Sequence, residues 1–81
     1  MKVRVKLFAA AKEFAGSDEV TVDVPNAATI ADLRQAIVVA FPALQKIVPH
    51  SLWAIGSEYV PDQTTLNEHS DIALIPPVSG G

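Results

Sequence analysis

Cysteine is absent from the chain, so no disulfide and no zinc-thiolate cluster can staple it. Stability must come from packing, and the apolar residues, 49% of 81, suffice for one ordinary core. Histidine is scarce: His50 and His69 stand alone, in no metal-ligand or triad-like spacing, and both read as surface residues with no metal site. No glycine-rich phosphate loop occurs. The carboxylate pairs Asp18 with Glu19 and Glu68 with Asp71 lie in polar turns, without the apolar setting that would make one of a pair an acid. No apolar run approaches the ~20 residues of a membrane span, and Met1-Lys2-Val3-Arg4 alternates instead of leading into a signal-type block. A cytoplasmic protein without a membrane partner is expected. Basic residues are also in deficit, six against nine acidic ones for a net charge of -3, which argues against nucleic acid as a partner.

What is present reads as alternating strands around one helix. Residues 2–8 place Val3, Val5 and Leu7 on one face and Lys2, Arg4 and Lys6 on the other, the pattern of a half-buried strand. Residues 9–15 are helix formers closed by Gly16, a natural left-handed cap. Residues 19–24 alternate again, with Val20, Val22 and Val24 opposite Thr21 and Asp23, and predict a second strand antiparallel to the first. Thr29-Ile30-Ala31-Asp32 resembles a capping box with Asp in place of Glu. Ile30, Leu33, Ile37 and Phe41 then recur at helical spacing until Pro42 stops the helix and forces Phe41 out of helical geometry. Another short turn is expected within residues 43–48, and a hairpin over residues 52–60, where Gly56-Ser57 suits a type II′ turn. Its aromatics Trp53 and Tyr59 are expected on the core. Residues 61–70 read as a polar loop pinned by Leu66.

The last strand, residues 71–75, is apolar on both faces: Ile72 and Leu74 against Ala73 and Ile75. Such a strand belongs in the middle of a sheet. If it lies beside the first strand the two run parallel, and the intervening chain supplies the crossover. The expected fold is α+β, a ubiquitin-like β-grasp of about five strands packed on one main helix, with residues 1–75 as the domain and residues 76–81 as an extended tail.

The tail is the one stretch with a plausible chemical task. Pro76-Pro77 cannot extend the sheet and stiffens the exit. Gly80-Gly81 carries no side chains and can thread a narrow channel. The Gly81 carboxylate, expected to be free, becomes an acyl donor once adenylated by ATP, and a sulfur nucleophile then converts it to a thiocarboxylate.

The ending Ile72-Ala73-Leu74-Ile75-Pro76-Pro77-Val78-Ser79-Gly80-Gly81 resembles that of the small, sulfur-carrying subunits of molybdopterin synthase. So does the opening Val3-Arg4-Val5-Lys6-Leu7-Phe8-Ala9, with Lys12-Glu13 and Gly16 after it. Two turns depart from that family: Ala54-Ile55-Gly56 stands where Ala-Val-Asn is frequent, and His69-Ser70-Asp71 where Asp-Gly-Asp is usual. The resemblance implies that a ubiquitin-activating-type enzyme adenylates Gly81 with ATP, that a sulfurtransferase supplies sulfur, and that the tail inserts into the large synthase subunit. There it would give sulfur to cyclic pyranopterin monophosphate, in a heterotetramer whose catalytic groups belong to the partner. No cofactor is expected on this chain alone. Gly81 is then the sulfur-bearing residue, Gly80 the clearance, and Pro76, Pro77, Val78 and Ser79 the threaded segment. Phe8, Leu74 and Ile75 are the candidates for an apolar docking face. Three alternatives stay open: a thiamine-pathway carrier, whose chains are typically shorter and lack the Pro-Pro exit; a tRNA-thiolation or protein-modifying role; and a ubiquitin-like interaction module with an incidental Gly-Gly.

Overall fold

A computed structural model describes residues 1–77. Five strands form one mixed sheet: β1 (Lys2–Leu7), β2 (Glu19–Asp23), β3 (Leu52–Ile55), β4 (Glu58–Tyr59) and β5 (Ile72–Ile75), in the spatial order β2-β1-β5-β3-β4. The doubly apolar β5 is central, parallel to β1 and antiparallel to β3. With helix α2 (Ile30–Ala40) packed on one face, this is the β-grasp fold.

Local chemistry sets each boundary. Helix α1 (Ala9–Ala15) ends at Gly16, whose φ of 72° is the left-handed cap that a side chain would strain. At the start of α2 both halves of the capping box form: the Thr29 N–H donates to the Asp32 carboxylate at 2.9 Å, and the Asp32 N–H donates to Thr29 Oγ1 at 3.4 Å. The helix stops at Ala40. Phe41, at φ -131° and ψ 77°, has left helical geometry ahead of Pro42, and two short 3-10 turns follow (Pro42–Leu44 and Val48–His50). The β3–β4 hairpin turns at Gly56, φ 64°; the φ at Ser57 is not positive, and these are the signs of a type II′ turn.

The core lies between sheet and helix. Val3, Val5 and Leu7 from β1, Ile72 and Leu74 from β5, and Ile30, Leu33 and Ile37 from α2 are all essentially inaccessible. Residues 61–70 close one end. The Leu66 side chain is buried and its N–H donates to the Ala28 carbonyl at 2.8 Å. From the same loop, the Thr64 and Asp62 carbonyls accept from the N–H groups of Ile30 and Ala31 at 3.0 and 3.1 Å, satisfying two donors that the helix start leaves free. An Arg34–Asp62 ion pair ties the loop to the helix from outside.

Candidate functional site

The face of the sheet away from α2 is where the predicted docking residues must be sought. On β1 the outward positions are Lys2, Arg4 and Lys6, all exposed. Phe8 continues the extended backbone (φ -128°, ψ 157°) before the chain turns into α1, so alternation carries it to the same face, where it is 48% exposed. The turn is made by Ala9 at φ 50°, a left-handed conformation that costs an alanine about 1 kcal/mol. The parallel register pairs Lys6 with Ala73 and Leu7 with Leu74, which brings Phe8 level with Ile75. Across the other edge of β5, Ile75 is paired with Leu52 of β3, 59% exposed. Phe8, Ile75 and Leu52 thus form a row over three strands. A second row, Ala73, Ala54 and the exposed Tyr59, runs beside it, and the Lys6–Asp71 ion pair at 3.6 Å lies at its margin.

Leu74 does not belong to this face. It is fully buried opposite Trp53, because the pleat turns Ile72 and Leu74 toward α2 and Ala73 and Ile75 away from it. The same alternation continues past the strand: Pro76 is buried and Pro77 exposed, so in the domain Pro76 packs with the core side of the sheet. Of the hairpin aromatics, Trp53 is in the core as expected, but Tyr59 is not; it pairs with Ala54 on the outward side. Leu52 and Tyr59 are the face residues that sequence reasoning missed. Once Trp53 is placed inward, alternation puts its neighbour Leu52 outward, and that was the available signal. Val78, Ser79, Gly80 and Gly81, the rest of the predicted tail, lie outside the described residues.

Other chemistry is thin. Among the described residues no group of three His, Asp or Glu side chains is placed to hold a metal ion. No described helix is long and apolar enough to cross a membrane. His50 and His69 are both exposed, and the His69 imidazole lies 3.5 Å from the Glu68 carboxylate.

A model of the ThiS family matches residues 5–81. The molybdopterin synthase sulfur carrier subunit of Chlamydomonas reinhardtii is 36% identical, covering 100% of this chain and 100% of that one. That of Arabidopsis thaliana is 31% identical, over 100% of this chain and 84% of its own. Among solved structures, the small archaeal modifier protein 1 (SAMP1) of Haloferax volcanii is 35% identical and superposes with a TM-score of 0.86, covering 100% of each chain. The central parallel strand, the capped helix and the opening and closing segments therefore have counterparts in proteins matched from end to end, and the chain belongs to the ThiS family, with molybdopterin synthase sulfur carrier subunits as its relatives.

Proposed function

We propose that this chain is a sulfur carrier in molybdenum cofactor biosynthesis, acting through Gly81 and docking on a large synthase subunit by the outer face of its sheet. The observation that carries the reading is the position of β5. Strand β5 is hydrogen-bonded on both sides, so the chain reaches Pro76 from the middle of a rigid sheet, directly beside the apolar row Phe8, Ile75 and Leu52. A partner that covers this row is brought next to the chain segment that must enter its active site. The relatives' name supplies the sulfur and the pathway.

In this reading the Gly81 carboxylate attacks the α-phosphate of ATP on a ubiquitin-activating-type enzyme, releasing pyrophosphate. A persulfide on the sulfurtransferase then attacks the acyl carbon, AMP leaves with the bonding pair, and a protein thiol attacks the donor-side sulfur of the acyl disulfide, releasing the thiocarboxylate and leaving a protein disulfide. The thiocarboxylate sulfur bonds to cyclic pyranopterin monophosphate in the large subunit, and water cleaves the acyl–sulfur bond, leaving the sulfur on the pterin and returning Gly81 as a carboxylate. This chain contributes the acyl group and its delivery, and the partner the catalytic groups. Gly80 and Gly81 add no side-chain bulk to a narrow channel, and Pro77 keeps the exit stiff. Incubation with the activating enzyme, ATP and a sulfur source should replace one oxygen by sulfur at the C-terminus, read by mass spectrometry. Absence of that species while a control carrier is charged would sink the proposal.

One observation favours a second reading. The likeness to the small archaeal modifier protein extends over both whole chains, and the same activated glycine can be attacked by a lysine amine to give an isopeptide in place of a thiocarboxylate. Products resolved by mass separate the two: conjugates to lysines with no thiocarboxylate would favour the modifier.

A further inference from the structure

Away from the outer face, the opposite side of the molecule carries a second surface. Strand β2 is an edge of the sheet. The hydrogen bonds between Met1 and Val24, and from the Leu7 N–H to the Asp18 carbonyl, set the phase of the β1–β2 ladder. Val20 and Val22 therefore bond inward to β1, while Glu19, Thr21 and Asp23 turn their N–H and C=O groups outward. The Ser17 hydroxyl occupies the Glu19 backbone, donating to its carbonyl at 2.7 Å and accepting from its N–H at 3.3 Å. The Thr21 and Asp23 backbone groups have no such partner among the described residues.

Beside this edge runs a groove between β2 and the last turns of α2, lined by Val22, Asp23, Gln35, Ala36, Val39 and Ala40. Val39 is 81% exposed, the most exposed large apolar residue described. The groove ends where the helix does. Pro42 has no N–H to give the Val38 carbonyl, and the Val38, Val39 and Ala40 carbonyls have no hydrogen-bond partner among the described residues. No basic residue sits in the last helical turn, so the negative end of the helix dipole faces this opening without a cation from the helix's own last turn.

We infer that the β2 edge and the α2 groove form a docking site for an extended polypeptide, which adds a strand at the Thr21 and Asp23 backbone, sets an apolar side chain against Val39 and Ala36, and carries a basic residue toward the unpartnered carbonyls at the end of α2. Main-chain bonds to the free edge supply affinity and the groove selects the side chain. A second copy of this chain is a poor occupant: antiparallel pairing of two β2 strands about Thr21 sets Glu19 opposite the other copy's Asp23, like charge on like. The site lies at the sheet edge, apart from the row of Phe8, Ile75 and Leu52, and does not depend on the sulfur-carrier reading.

The test uses the full chain labelled with nitrogen-15 and two synthetic peptides, Thr-Val-Thr-Val-Thr-Lys-Lys and its counterpart ending in Glu-Glu. The lysine peptide is expected to shift the amides of Thr21, Asp23, Val39 and Ala40, to slow hydrogen exchange at the Thr21 and Asp23 N–H groups, and to bind about tenfold more tightly than the glutamate peptide. Val39→Arg should weaken binding by about tenfold with the melting temperature unchanged, since the side chain is solvent-facing. Thr21→Pro removes one outward donor and should weaken binding similarly, as an edge strand tolerates proline there. No amide shift at millimolar peptide, shifts confined to Phe8, Leu52 and Ile75, equal binding of the two peptides, or self-association through β2 would each overturn the proposal.

Discussion

Leu74 and Leu52 are both leucines of the central strands, and only burial distinguishes them. Leu74→Ala empties a fully enclosed site between β5 and α2 and should cost about 2–5 kcal/mol in urea unfolding. In an 81-residue domain that is a large part of the total margin. Leu52→Asp, on the outer face, should move stability by less than about 1 kcal/mol while strongly weakening capture of a large synthase subunit, measured by calorimetry. If the two substitutions damage stability equally, the outer row is structural and not a docking face. Ala9 offers a finer test. Its left-handed φ of 50° is what turns Phe8 away from the path of α1, so Ala9→Gly should leave the fold intact and raise stability by up to about 1 kcal/mol.

At the scale of the element, α2 depends on its ends more than on its intrinsic propensity. It has two valines near its C-terminus, where β-branching lowers helix preference. Its start is held by the reciprocal Thr29–Asp32 box and by carbonyls of residues 62 and 64. Thr29→Ala should cost about 1 kcal/mol, and Asp32→Ala a similar amount. Because each side chain serves the other's backbone, the double substitution should cost clearly less than the sum; simple additivity in chemical denaturation would show that the two halves act independently. The box was legible from four residues because it is a local motif. The partnership of the helix with residues 61–70 was not: nothing short-range in that loop says that the Thr64 carbonyl meets the Ile30 N–H.

For the whole molecule, the sheet order predicts where unfolding begins. Strand β5 is paired along both sides and packs one face on the core, so its amides should exchange only through global opening. The two-residue β4 and residues 61–70 should exchange earlier by local opening. Native-state hydrogen exchange in which β4 is protected as long as β5 would contradict this.

Periodicity along the chain was enough to reveal five strands, one main helix and the central place of β5, because alternation, caps and prolines act over a few residues, and a strand apolar on both faces has one favourable position in a sheet. The same local logic located Gly16, the capping box and the Gly56 turn. Which of the hairpin's apolar residues lie on the outer face of the sheet was decided by tertiary structure. Leu52, Trp53 and Tyr59 are all compatible with either face of a short hairpin, and only the pairing of Leu52 with Ile75 and Trp53 with Leu74 settles which side meets α2. A register is a relation between segments distant in sequence, so burial of Leu74 and Pro76, exposure of Leu52 and Tyr59, and the open β2 edge exist only once the sheet is assembled.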